Sequence, residues 1–165
     1  MANQSITSQL LAEFEAEIPA TRKCIERIPE SSYDFKPHER SMTLGYLVLL
    51  VTEIPKWISV MIEKGVIDFQ TFEHAQPKTT REMVEHFSEY CEGARKALAA
   101  LPDDRLSDHF VLRNGEQVLI DSPLLENISS TINHWVHHRG QLTVYMRLND
   151  IAVPSIYGPS ADEKA

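Results

Sequence analysis

Apolar residues recur along this chain at helical spacing in four stretches. In the first, from about Ile6 to Ile28, Leu10, Leu11, Phe14, Ile18, Cys24, Ile25 and Ile28 approximate one stripe. Pro19 interrupts that stripe and predicts a kink, because proline lacks the N–H that a helix interior needs. A second helix is expected from near Thr43 to Lys64. It is apolar nearly all round between Tyr46 and Val51, so it should be the most buried, with a further kink at Pro55. The third, from about Thr80 to Ala100, opens on Thr79-Thr80-Arg81-Glu82, the Thr-x-x-Glu spacing of a capping box. Its buried face should carry Met83, Val84, Phe87, Tyr90, Cys91, Ala94 and Leu98. The fourth starts near Pro123, a residue suited to a first helical turn, and runs to about Leu148.

The connections carry their own signals. Residues 29 to 41, PESSYDFKPHERS, have the Pro, Ser and Asp of an irregular loop. Between helices three and four, HFVLRNGEQVLI places Asn114-Gly115 between two short apolar-rich runs. That predicts a two-residue hairpin with positive φ at both positions, or a loosely strand-like loop. The tail IAVPSIYGPSADEKA is broken by Pro and Gly and should be non-helical. Four helices and a long link carrying a short hairpin predict a single-domain (residues 1–165), all-α four-helix bundle.

Composition narrows the partners. With 165 residues, 42% of them hydrophobic, the chain can bury a core without metal or disulfide staples. A formal net charge of −8 argues against a nucleic-acid surface and against anionic membranes. The longest apolar run, Leu47 to Val51, is far short of the roughly 20 residues a spanning helix needs. The N-terminus lacks the pattern of a signal peptide, so a cytoplasmic protein is expected. Cys24 and Cys91 are expected to be buried, reduced thiols.

The candidate chemistry lies in HWVHHRGQ, residues 134 to 141. His134 and His138 are four apart, about 40° around a helix, on the edge of an apolar arc of Leu124, Ile128, Ile132, Trp135, Leu142 and Met146. His137 falls on the opposite, solvent side. Two histidines at this spacing can share a metal ion, but a catalytic zinc normally takes three protein ligands. Equally, they can be the polar edge of an ordinary helix. Arg139 lies near the centre of the arc and must be paired if buried. Glu53, amid the apolar second helix, is the natural candidate partner.

Two segments, His134 to Glu163 and Phe14 to Trp57, closely resemble the C-terminal and N-terminal parts of the DinB-like (YfiT-like) metalloenzyme superfamily. HHRGQ and PHERSMTLG are the most specific parts of the match. The resemblance implies a bundle with a long crossover, often a homodimer. It also implies a three-histidine site for a divalent metal, usually Zn or Ni, with one ligand from the second helix and two from an HxxxH. The latter two carry over to His134 and His138. Better characterised relatives act on low-molecular-weight thiols such as mycothiol or bacillithiol. At the place of the third histidine this chain has Leu50, which cannot ligate. The resemblance therefore leaves three outcomes: no metal, a weak site of His134, His138 and water, or Glu53 recruited as third ligand. It leaves two functions: a non-enzymatic bundle that binds a small molecule or thiol, or a metal-dependent transferase or isomerase. No catalytic base is marked by spacing.

Overall fold

The computed structural model describes residues 5–164. Four helices are present: α1 (Ile6–Glu26), α2 (Leu44–Lys64), α3 (Thr80–Ala100) and α4 (Leu124–Leu148). The all-α expectation needs correcting. Three strands, β1 (Val66–Asp68), β2 (His109–Asn114) and β3 (Gln117–Pro123), form one sheet in the order β1-β2-β3. β1 runs parallel to β2, and β2 antiparallel to β3. The segment just after α2 thus joins the link between α3 and α4. A three-residue strand is too short to show a period of two, so the sequence carried no sign of it.

The helix ends follow local chemistry. Ser5, Thr43 and Thr79 each accept a backbone N–H of the first turn, and Thr79 and Glu82 complete the capping box. Gly65 ends α2 with φ +67°, a left-handed conformation that favours glycine. Pro123 does not open α4 from within; it closes β3 and occupies the N-cap position. The hairpin is shifted one residue from the sequence expectation. Asn114 pairs with Gln117, and the loop is Gly115-Glu116, with positive φ at Gly115 alone. That is the Gly-X type of turn rather than Asn-Gly. It is held from outside by Asp68, which accepts the Gly115 N–H at 3.0 Å.

α1 and α2 are each flanked by α3 and α4, so successive helices α1 and α2 lie diagonally across the core. One continuous cluster fills the interior, including Phe14, Ile25, Leu47, Ile54, Phe87, Ile132 and Trp135. α2 is long and apolar enough to cross a membrane by composition, but much of it is buried within the fold. The non-helical tail expected from the sequence lies against α1 and α4. Arg27 and Lys23 pair with Glu163, and Arg147 pairs with Asp162.

Neither internal proline ends its helix: α1 runs through Pro19 and α2 through Pro55. A proline at 55 leaves the carbonyl of residue 51 without its helical donor. That carbonyl is taken by the Trp135 indole N–H at 2.9 Å, in the buried core. One hydrogen bond thereby offsets the proline and fixes α4 against α2. We expect Trp135→Phe to lower stability by about 1–3 kcal/mol through the orphaned carbonyl, beyond its lost volume. Adding Pro55→Ala, which restores a helical donor, should recover part of that loss. Urea midpoints of the single and double variants measure the coupling, and strict additivity would show that the indole does not replace the missing donor.

Candidate functional site

A cavity of about 290 Å³ opens between α2, α4 and the inner face of the sheet. Its wall is mainly apolar, with Trp57 and Met61 from α2, Phe110 and Leu112 from β2, and Phe72 from the link after β1. The polar groups on it are Asn127, Ser130, Thr131 and His134 from α4, and His74 from the link. Asn127 is already committed, since its amide donates to the Ser122 and Pro123 carbonyls. The two histidines are the titratable groups on this wall.

His134 and His138 do meet. Their Nε2 atoms are 2.7 Å apart, and the His134 ring packs against Trp57 with centroids 5.6 Å apart. His138 Nδ1 lies 2.7 Å from Gln141 Oε1. A carboxamide oxygen only accepts, so Nδ1 carries the proton and His138 Nε2 offers a lone pair. His134 Nε2–H then donates to it. His137 is exposed, as its helical position predicts. Burial, and secondarily the neighbouring His138 and His137, push the His134 pKa below its ordinary 6.5. His134 therefore favours the neutral form, the one that metal ligation requires.

Glu53 is placed elsewhere. It is 2% exposed, and its two oxygens accept from His74 Nδ1 at 2.7 Å and from the Ala75 N–H at 2.6 Å. The expected Glu53–Arg139 pair is not formed. Arg139, equally buried, pairs instead with Glu17 of α1, and donates to Thr21 Oγ1 at 3.2 Å and to the Tyr157 hydroxyl at 2.7 Å. The Tyr157 oxygen lies 2.9 and 3.0 Å from the two Glu17 oxygens, which ties the tail to the core. The sequence marks Glu53 and Arg139 as charges on apolar faces; the burial of Glu17 comes from the fold. Which acid meets the arginine depends on which helices are neighbours.

The donors present do not fit a resident three-ligand metal. Two imidazole nitrogens on one tetrahedral ion lie roughly 3.3 Å apart, from Zn–N distances of about 2.0–2.1 Å. The separation of 2.7 Å between the Nε2 atoms is that of a hydrogen bond. Among the described residues no group of three His, Cys, Asp or Glu side chains converges, so Glu53 does not join the pair as a third donor. Leu50 packs against the core, two turns before Trp57 on the same stripe of α2.

The DinB family model matches residues 1–165 in full. The chain belongs to the DinB family. Similar proteins include two from Bacillus subtilis (strain 168), both described as uncharacterized. YrdA is 26% identical over 155 residues, covering 94% of this chain and 90% of the relative. YjoA is 25% identical over 142 residues, covering 86% and 89%. Among solved structures, a DinB-like protein (YjoA) from Bacillus subtilis superposes with a TM-score of 0.72 at 20% identity, over 94% of this chain and 99% of that one. A DinB-like protein from Bacillus cereus ATCC 10987 gives 0.69 at 21% identity, over 93% and 99%. The fold of this DinB-family chain, mostly helical with a small sheet, is thus shared with these structures. Their descriptions assign no reaction.

His74 is the site residue that sequence reasoning passed over. It sits in an irregular link with no motif around it. The available signal was Glu53: a carboxylate on an apolar helix requires a partner, and the link after α2 carries a histidine.

The lowered His134 pKa has a consequence for stability. The unfolded chain takes up a proton near pH 6.5, whereas the folded state resists it to lower pH. Stability contributed by His134 is therefore present above the unfolded value and declines as pH falls below it. Unfolding midpoints measured between about pH 7.5 and 5.5 should fall in the wild type and fall less steeply in His134→Gln. Equal slopes would show that His134 does not contribute.

Proposed function

We propose that this DinB-family protein binds a small molecule in the cavity between α2, α4 and the sheet, without a resident metal of the three-histidine kind. The observation that carries this reading is the cavity itself: about 290 Å³, largely apolar, with histidines as its titratable groups. The metal donors stop at two. Leu50 stands where the family resemblance places the third, and Glu53 is held by His74 and Ala75. The reading takes the protein as cytoplasmic. Cys24 and Cys91 are free and buried, and burial pushes their thiols up to about 11 and about 12, which leaves them inert.

A second reading, metal-dependent chemistry on a low-molecular-weight thiol, is favoured by the convergence of His134 and His138 beside the cavity. It requires a water, the ligand's own thiolate or Glu53 to complete the donor set. Recruiting Glu53 would break two hydrogen bonds to a buried carboxylate, so this third source is the costly one.

Protein purified without a histidine tag and incubated with Zn or Ni separates the two by elemental mass spectrometry. The first reading expects far less than one metal per chain in the wild type, and about one in Leu50→His, which supplies a third imidazole. Near-stoichiometric metal in the wild type, lost in His134→Ala, would overturn it in favour of the second.

A further inference from the structure

We propose that His74, oriented by the buried carboxylate of Glu53, is the polar anchor of the cavity, and that the ligand is an apolar molecule carrying a neutral hydrogen-bond donor such as a hydroxyl. This deepens the small-molecule reading and rests on it.

A carboxylate 2% exposed on the most apolar helix is costly unless its oxygens are satisfied, and here two donors from one short link satisfy it. The Ala75 N–H alone would pin the link. The second donor is the Nδ1 of a histidine whose side chain is 55% exposed and lines the cavity. Because a carboxylate only accepts, Nδ1 carries a proton, and in the neutral ring Nε2 keeps its lone pair. Among the described residues no hydrogen bond engages that Nε2. The ring is held further by an edge contact with Phe72, centroids 5.2 Å apart. Lys56 lies over the Phe72 ring at 4.7 Å and donates to the Glu73 carbonyl at 2.5 Å, which secures the same segment to α2.

The result is an acceptor held in place by Glu53 on a largely apolar wall. Of the other polar groups there, the Asn127 NH2 is spent on β3 and His134 Nε2 faces His138, while Ser130 and Thr131 present hydroxyls from α4. A ligand with an apolar body can fill the space between Trp57, Met61 and Phe110, and one donor directed at His74 would avoid burial without a partner. An anionic ligand is disfavoured. The Glu53 charge lies directly behind His74, and the described lining includes no lysine or arginine.

The test compares two probes of nearly the same shape, 4-methylphenol and its methyl ether 4-methylanisole, by calorimetric or NMR titration near neutral pH. We expect the wild type to bind the phenol more tightly by roughly three- to ten-fold, the range of one well-made hydrogen bond. In His74→Phe, which keeps a ring against Phe72, the ether should bind about as well as before and the preference should vanish. Glu53→Gln should also reduce the preference, because an amide no longer dictates which ring nitrogen is protonated. If His74→Phe fails to fold, His74→Asn, whose side chain is shorter, carries the same expectation.

Equal binding of both probes to the wild type overturns the anchor and leaves the pocket reading intact. So does a preference that survives in His74→Phe but is lost in His134→Phe, which would transfer the contact to His134. Failure of either probe to bind at all overturns the pocket reading itself, and this inference falls with it.

Discussion

Val51 has a carbonyl that its own helix cannot satisfy, because Pro55 lacks the donor. The Trp135 indole supplies that donor from α4. The relative placement of α2 and α4 depends on this bond, and the cavity depends on that placement. Trp57 and Met61 on one helix face Asn127, Thr131 and His134 on the other across the same interface. Trp135 also packs against Phe14 of α1 and Phe87 of α3, with centroids 5.3 and 6.0 Å away. A single side chain thus reaches all three other helices, and the segment that carries it also carries the paired histidines.

Three buried charges divide the interior into separate tasks. Arg139 and Glu17 lock α4 to α1 and, through Tyr157, hold the tail in place. Such a pair adds little net stability over apolar residues, but removing one partner leaves the other charged and alone. Glu53 faces the link after α2 and, through His74 and Ala75, orders that segment of the cavity wall. The sheet does the same for the far wall. β1 follows α2 directly and pairs with β2, so the stretch after α2 and the hairpin form one surface. Asp68 strengthens the connection by accepting from Gly115 in the hairpin loop and from Gln70 in its own turn.

Leu50 stands where the resemblance places a third histidine. With Leu50 in the third place, His134 and His138 satisfy each other, and Gln141 fixes which nitrogen donates. Trp57 packs against His134 beside them.

Much of this was legible in the sequence, and the reason is period. The four helices, the Thr79–Glu82 box and the Leu124 to Met146 arc come from spacing and local capping, which are properties of residues near one another in the chain. The nearness of His134 to His138 and the outward turn of His137 follow from the same geometry. What the sequence could not decide was every choice between distant segments. Arg139 had two buried acids available, and the helix order awarded it Glu17. Glu53, matched to Arg139 on sequence grounds, instead meets His74 at 2.7 Å, because the fold lays the link beside it. β1 became a strand only because β2 lay alongside it. Periodicity declares that a polar group on an apolar face must be satisfied; only tertiary packing settles by whom, because the answer lies in neighbours that the chain brings back from far along its length.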